Sequence, residues 1–401
     1  MKQWKRPVAA LATASLMLTA AAVQAGGKIS IDDTKWISIG AGARGSFSAI
    51  EDAAPNADEW SSDFNADNAR IYINGQLNKW IKFELNTECV FCGNSALEEF
   101  VLLDAIAKFE FRPEINVWAG RLLVPAERQE LNGPFYSTTY DAYRTPFIPA
   151  DFSVDFGTGG AGVYARDHGV SVWGNLGPRG ALQYVVGVYN GLESAAGFGP
   201  NQDDTLMYAG RFTYNFLNVE KNPGYYTSGT YYGTAGDILS LAVTVQYQED
   251  GVGSFANPGD YTGVSLDAIF EKVLANQGVF TFNGEYKNFD SDYNVLAFND
   301  ADCFCMFDGD SFWVNALYMF PQTVGIGKFQ PYIRYSEINP DTSSDRDEIE
   351  GGLNYIIDGH NMRVSLFYQY GDILSEGIVN FAPNVDGDDL SAIKLAFQIQ
   401  I

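Results

Sequence analysis

The amino-acid sequence predicts an all-β fold, a sixteen-stranded antiparallel β-barrel that crosses a membrane. Three observations carry this prediction: an export signal at the N-terminus, repeated segments in which apolar and polar residues alternate, and connections that alternate between short and long. Segments of roughly ten alternating residues, even in number, are typical of bacterial outer-membrane barrels.

Residues 1–25 have the features of a secretory signal peptide. Lys2, Lys5 and Arg6 precede an apolar run, which ends at a small-residue cleavage site, Val23-Gln24-Ala25. A transmembrane anchor is the alternative, but the run is short for the roughly 20 residues that a spanning helix needs. We therefore expect export to the outer membrane of a Gram-negative bacterium.

Residues 26–401 are predicted to form one barrel domain, because apolar residues recur there with a period of two. Leu241 and Val243 share one face of a predicted strand, and Ser240 and Thr244 share the other. The sixteen predicted strands span residues 35–48, 67–78, 80–88, 99–109, 115–122, 168–175, 181–190, 206–216, 237–249, 260–273, 277–289, 309–321, 326–337, 346–357, 360–371 and 390–401.

The predicted connections alternate in length, as in barrels with short periplasmic turns and long extracellular loops. The connection at 217–236 breaks the rule, since it is long where a periplasmic turn is expected, and we interpret it as a local insertion. The longest connection, 123–167, follows the fifth predicted strand.

Composition argues against several function classes. The chain has 50 acidic and 25 basic residues, a net charge of −25, whereas a nucleic-acid-binding surface must be basic. Asp167-His168 lacks an accompanying serine nucleophile motif, and two histidines are too few for a convincing metal site. We predict no enzymatic activity, no catalytic residues, no cofactor and no metal.

Four cysteines fall in predicted extracellular loops, as Cys89 with Cys92 and Cys303 with Cys305. A haem-attachment site would need a histidine where Gly93 stands, and a zinc site would need both pairs to converge. In an oxidising compartment we expect disulfides within or between these loops. A loop contact to a partner is the alternative.

Several short motifs resemble the phosphate-selective porin (type O and P) family of outer-membrane proteins. They occur in order along nearly the whole predicted mature chain: Val117-Trp118-Ala119-Gly120-Arg121, Arg166-Asp167-His168-Gly169-Val170-Ser171-Val172-Trp173-Gly174, Gly187-Val188-Tyr189-Asn190-Gly191, Tyr208-Ala209-Gly210-Arg211, Gln330-Pro331-Tyr332-Ile333-Arg334-Tyr335, Gly352-Leu353-Asn354-Tyr355 and Gly359-His360-Asn361. The resemblance implies a homotrimeric porin in outer-membrane lipid. It also implies that the third extracellular loop folds into the lumen, and residues 123–167 occupy the place of that constriction loop.

The chain departs from the family in two respects. Phosphate-selective members have crowded arginines and lysines along the pore, whereas this sequence has scattered ones, and it ends in Ile401 rather than in an aromatic residue. The bases predicted to face the lumen are Arg44, Arg70, Lys82, Arg211, Lys287, Lys328, Arg334, Arg363 and Lys394. The acids predicted among them are Glu84, Glu88, Asp267, Glu271, Glu285, Glu348 and Glu350.

These lumen charges suggest how solutes are selected, because a diffusion channel selects by diameter and by lining charge. Bases on some strands facing acids on others would create a transverse field that admits ions of either sign. We expect Arg121, Arg128 and Arg144 to line the constriction. Alternatively, these arginines form structural ion pairs with neighbouring acids, which are Glu127, Glu130, Asp141, Asp151 and Asp155.

Two functions follow from the sequence. The first is a porin for passive diffusion of small hydrophilic solutes or ions, including anions such as phosphate. The alternative is a barrel sheath or docking component for a transmembrane electron-transfer cytochrome.

Much of the negative charge lies in predicted loops. Of the 50 acids, 21 fall in five windows without lysine or arginine, which are 49–66, 191–205, 249–260, 290–308 and 372–389. We predict an acidic extracellular rim, either an ordinary solvated surface or a vestibule that gathers cations or basic partners.

Overall fold

The structure is a computed structural model that describes residues 26–92, 100–141, 166–305, 307–373 and 386–401. The predicted signal peptide and Arg144 lie outside the described residues. Within the described ranges, no helix is long and apolar enough to cross a bilayer.

One antiparallel sheet contains nearly all of the regular structure. Its strands are β1 (Gly27–Ser30), β2 (Trp36–Ile50), β3 (Asp63–Gln76), β4 (Ile81–Cys92), β5 (Val101–Arg112), β6 (Ile115–Leu123), β7 (Arg166–Leu176), β8 (Leu182–Tyr189), β9 (Met207–Asn215), β10 (Ile238–Gly253), β11 (Pro258–Val273), β12 (Val279–Asp292), β13 (Gly309–Met319), β14 (Lys328–Pro340), β15 (Arg346–Asp358), β16 (Met362–Gly371) and β17 (Leu390–Gln400).

The sheet closes on itself, which confirms the predicted fold class. From β2 onward, each strand pairs with the next, and β17 pairs with β2 from Ala392 opposite Ile50 to Gln400 opposite Gly42. Over the described residues this gives a closed barrel of sixteen strands, with the short β1 paired beside the start of β2. Closure leaves no exposed strand edge inside a membrane, where unpaired backbone groups are costly.

The two faces of the barrel differ in polarity. On β10, Ser240 and Thr244 are buried, whereas Leu241 and Val245 are 46% and 49% exposed. In a closed barrel the buried polar face points inward, and the exposed apolar face is the one that lipid covers. The alternation therefore places polar side chains in the lumen along each long strand.

Several strand ends differ from the sequence prediction, most clearly between β10 and β11. These strands leave only residues 254–257 as a connection, in place of the predicted loop at 250–259. The pairing shifts between Gln248 and Val252, and Asp250 has a φ of 52°. This β-bulge interrupts the alternation of apolar and polar residues, so the alternating pattern in the sequence ends before β10 does.

Candidate functional site: the polar lumen

The segment after β6 enters the barrel and forms a short helix, α1 (Arg128–Tyr136). Before the helix, the carbonyl oxygens of Pro125 and Ala126 accept hydrogen bonds from Gln246 Nε2 (2.8 Å) and Arg211 Nη1 (3.2 Å). Gln246 and Arg211 are inward-facing and buried. The start of the segment therefore lies against the lumenal side of β9 and β10.

The segment continues to a different part of the wall. Arg363 on β16 donates to the carbonyl oxygens of Ser137 (2.8 Å) and Thr139 (2.9 Å), and Arg334 on β14 donates to that of Asp141 (2.8 Å). Carbonyl groups without strand partners need donors when they are buried, and the lumenal arginines supply them. Residues 124–141 thus run among inward-facing side chains. Residues 142–165 of the predicted constriction loop lie outside the described residues, so its full path stays a prediction.

Arg128, the first residue of α1, forms buried ion pairs inside the barrel. Its Nη1 and Nη2 donate to the two carboxylate oxygens of Glu220 at 2.7 and 2.8 Å, and its Nε lies 3.3 Å from Asp267 Oδ1. Only 1% of Arg128 is exposed. Burial would raise the pKa of Glu220, but the charge and hydrogen bonds of Arg128 outweigh it and lower that pKa to about 2.

These partners differ from the acids that the sequence suggested. Glu127 pairs with Lys287, and Asp141 pairs with Lys394 at 2.5 Å, rather than with Arg128. Arg144, Asp151 and Asp155 lie outside the described residues. Local spacing favoured acids close in sequence, whereas the fold brings Arg128 to acids that are remote in sequence.

A second segment also lies in the lumen. From the sequence, it was interpreted only as a local insertion. We call residues 219–236, between β9 and β10, the inner segment. Tyr226 Oη donates to Glu84 at 3.0 Å, Thr230 Oγ1 donates to Glu271 at 2.7 Å, and Asn283 Nδ2 donates to the carbonyl of Gly229 at 3.0 Å. The three wall residues belong to β4, β11 and β12, so the inner segment spans the interior.

The two segments meet each other inside the barrel. Gly229 N donates to the carbonyl oxygen of Tyr136 at 2.9 Å, and Thr227 Oγ1 donates to that of Arg128 at 2.9 Å. With the Arg128–Glu220 ion pair, these bonds join the inner segment to α1 along its length. The length of the 217–236 connection was the only sequence signal, since long loops in compact folds are usually functional or disordered.

Six of the nine predicted lumen bases form contact ion pairs in the described structure. Arg70 pairs with Glu88, Lys82 with Glu110, and Arg211 with Asp267. Arg334 pairs with both Glu348 and Glu350. In these pairs, a base and an acid on adjacent or near strands neutralise each other locally. The transverse field across the lumen stays a prediction. The role of these bases in permeation stays a prediction.

Arg44 and Arg121 bind neutral oxygen atoms. Arg44 donates to Asn68 Oδ1 at 2.5 Å and to the carbonyl of Tyr140, and its guanidinium lies 4.0 Å from the centre of the Tyr140 ring. Arg121 Nε donates to the carbonyl of Leu102 at 2.9 Å. Both side chains are buried at the wall. Arg121 lies on β6, at the base of the segment that carries α1.

The cysteines are paired within each sequence pair, Cys89 with Cys92 and Cys303 with Cys305. Cys89 and Cys92 lie at the end of β4 rather than in a loop, because β4 extends to Cys92. Cys303 and Cys305 lie in the connection between β12 and β13, where Phe304 forms an isolated bridge with Gly253.

No protein-family model matches the sequence, and no curated protein matches it significantly. Solved structures are similar in fold. Salmonella typhi OmpF in complex with daunomycin has 13% identity and a TM-score of 0.55, over 93% of this chain and 100% of that chain. In-vitro folded OmpT of Vibrio cholerae, in its trimer form, has 11% identity and a TM-score of 0.51, over 92% and 100%.

Sequence identities this low support a similarity in fold alone. The phosphate-selective subtype suggested by the sequence motifs stays a prediction. The chain has the closed sixteen-strand fold of outer-membrane proteins such as OmpF.

Proposed function

We propose that the chain is an outer-membrane porin that lets small hydrophilic solutes or ions diffuse passively. The observation that carries the proposal is a closed barrel with an apolar outside and a polar inside, crossed by the α1 segment. Such a lumen offers polar contacts to solutes, and its narrowest part sets their size. By analogy with the OmpT trimer, we propose a homotrimer.

Charge selectivity is proposed to be weak. Phosphate-selective binding needs bases with free charge, whereas Arg70, Arg211 and Arg334 each contact a carboxylate. Arg44 and Arg363 donate instead to carbonyl oxygens of residues 137–140. We therefore expect ions of either sign to pass, with phosphate favoured little over chloride.

The decisive experiment is planar-bilayer conductance of the purified protein in potassium chloride, potassium phosphate and salts of large organic ions. Discrete conductance steps with modest selectivity are expected. The absence of steps from protein shown to be folded would contradict the proposal. Migration of the unheated protein at the trimer mass tests the assembly.

The constriction role of Arg121, Arg128 and Arg144 is tested separately. Arg128→Ala and Arg144→Ala should change the anion-to-cation permeability ratio if these side chains face the permeation path. Lys272→Ala is the control, because Lys272 forms an exposed ion pair with Asp237. An unchanged ratio would assign the arginines to the structural role.

The cytochrome-sheath alternative requires room for an inserted partner. The α1 segment and the inner segment occupy the lumen and bind each other there, which argues against that alternative. Copurification of a stoichiometric multihaem protein would overturn the simple porin proposal.

A further inference from the structure

The inner segment leaves the barrel wall and returns to it at one point. Phe216 N donates to the carbonyl of Leu239 at 2.8 Å, and Asn218 N donates to that of Asp237 at 3.1 Å, so the hairpin of β9 and β10 is already closed at its base. The barrel therefore does not need residues 219–236 to connect its strands. The connection between β9 and β10 is therefore much longer than the hairpin requires.

The inner segment and α1 enter from opposite ends. Neighbouring strands alternate in direction, so β9 and β17 run the same way, and the inner segment enters where β17 ends. The α1 segment follows β6, which runs the other way, and so enters from the opposite end. The lumen is therefore obstructed by two segments of the same chain, the α1 segment from one end and the inner segment from the other.

The inner segment is held on both sides by buried groups. On the wall side, Glu271 accepts hydrogen bonds from Thr230 Oγ1 (2.7 Å), Tyr231 N (2.9 Å) and Gly233 N (2.8 Å). On the α1 side, both terminal nitrogen atoms of Arg128 donate hydrogen bonds to the carboxylate of Glu220. One carboxylate thus fixes the middle of the inner segment, and one guanidinium fixes its start.

The chain turn between β15 and β16 adds a third attachment. His360 Nε2 lies 2.9 Å from both Ser228 Oγ and the carbonyl oxygen of Thr230. The His360 ring also contacts the rings of Tyr136 and Tyr232, with centres 5.1 and 4.9 Å apart. This turn therefore touches both α1 and the inner segment at their junction.

We propose that the inner segment is a gate that closes the lumen from the short-turn end by docking on α1. The proposal rests on the porin function proposed above. The segment can leave α1 without opening the barrel, because the contacts described above are hydrogen bonds and one ion pair and its two ends already meet at the wall. With the gate docked, the barrel still conducts in discrete but small steps, and release of the gate opens the wider path left by α1.

The first test locks the gate. The hydroxyl oxygens of Thr230 on the inner segment and Thr281 on β12 are 3.4 Å apart, and both residues are buried. Sulfur atoms at those positions are within reach of a disulfide. Thr230→Cys/Thr281→Cys should form a cross-link, seen by mass spectrometry as a peptide joining the inner segment to β12. Failure to cross-link in folded protein would overturn the docked position.

The second test removes the gate. Because Asn218 and Asp237 are hydrogen-bonded, a two-residue Asn-Gly turn can replace residues 219–236 and close the hairpin. Single-channel conductance should rise by about threefold or more, since conductance follows the cross-section of the pore. The locked double-cysteine variant should conduct less than the same variant after reduction. Wild-type protein with the same reductant controls for its native cysteine pairs.

The outcomes separate this inference from the porin function. Equal conductance of the wild-type, locked and gate-deleted proteins would overturn the gate and leave the porin intact. No conductance from any of them, including the gate-deleted barrel, would overturn the porin function and the gate with it. Heat-modifiable migration shows that each variant is folded.

Discussion

At the scale of single residues, the Arg128–Glu220 pair decides how firmly the inner segment is held. Arg128→Met removes the cation and leaves the Glu220 carboxylate, whose side chain is 8% exposed, without its ion-pair partner. Losing one member of a buried pair typically costs about 3–5 kcal/mol. We expect faster amide hydrogen exchange throughout residues 219–236, with the strands unaffected.

Two matched variants test this interpretation. Glu220→Gln in the Arg128→Met background should restore part of the protection, because it removes the stranded charge. Lys272→Met breaks an exposed ion pair with Asp237 at the same end of the barrel and should cost under about 1 kcal/mol. Equal exchange rates in Arg128→Met and Lys272→Met would contradict a special role for Arg128.

The same pair makes the inner segment sensitive to acid. The pKa of Glu220 is lowered from 4.5 to about 2, so its ionised form favours the docked state above pH 4.5. That contribution is lost as the pH falls from 4.5 towards 2. Desolvation also lowers the pKa of His360 from 6.5, so protonation of His360 acts in the same direction, beginning at higher pH.

Conductance and hydrogen exchange of residues 219–236 should therefore increase on acidification. In a His360→Gln background, the remaining increase below pH 4.5 is assigned to Glu220, and Glu220→Gln should abolish it. A pH response that survives in the double variant would show that other groups control docking.

At the scale of elements, Gly224 sets the shape of the inner segment. Its φ is +56°, and a Cβ added there would lie 2.1 Å from the Trp118 ring. Gly224→Val should therefore dislodge the segment from the wall and raise conductance, because both the backbone and the contact oppose a side chain. Gly351→Val on β15 is the control, since nothing lies within 4 Å of its added Cβ. Similar conductance of both variants would show that this contact does not hold the segment.

The elements also show which features a sequence can predict. Strands such as β10 were predictable, because lipid and lumen impose opposite polarities on successive residues. The inner segment has no such periodicity, since tyrosines, threonines and glycines contact different parts of the wall. α1 contains Gly133 and Pro134, which are unfavourable inside a helix, so no helical pattern marked it. The ion pairs join residues far apart in sequence and depend on the closed barrel for their proximity.

At the scale of the whole molecule, charge is divided between the lumen and the rim. Lumenal bases and acids are largely paired in the described barrel, whereas the five predicted loop windows hold 21 acids and no lysine or arginine. Close acids there repel one another. Burial, together with Asp341, Asp290 and Asp292, raises the pKa of Asp308 to about 6. Asp308 therefore adds its full charge to the rim only above that pH.

An acidic rim should concentrate cations at the mouth of the channel. The field of such charges is screened beyond about 10 Å at 0.1 M salt and about 3 Å at 1 M salt. Reversal potentials at pH 7.5 should therefore show cation preference in dilute potassium chloride that declines in concentrated salt. Replacing Asp203 and Asp204, two exposed acids in one loop, with asparagine should weaken the preference at low salt only. If selectivity were the same at both salt concentrations, the lumen rather than the rim would determine it.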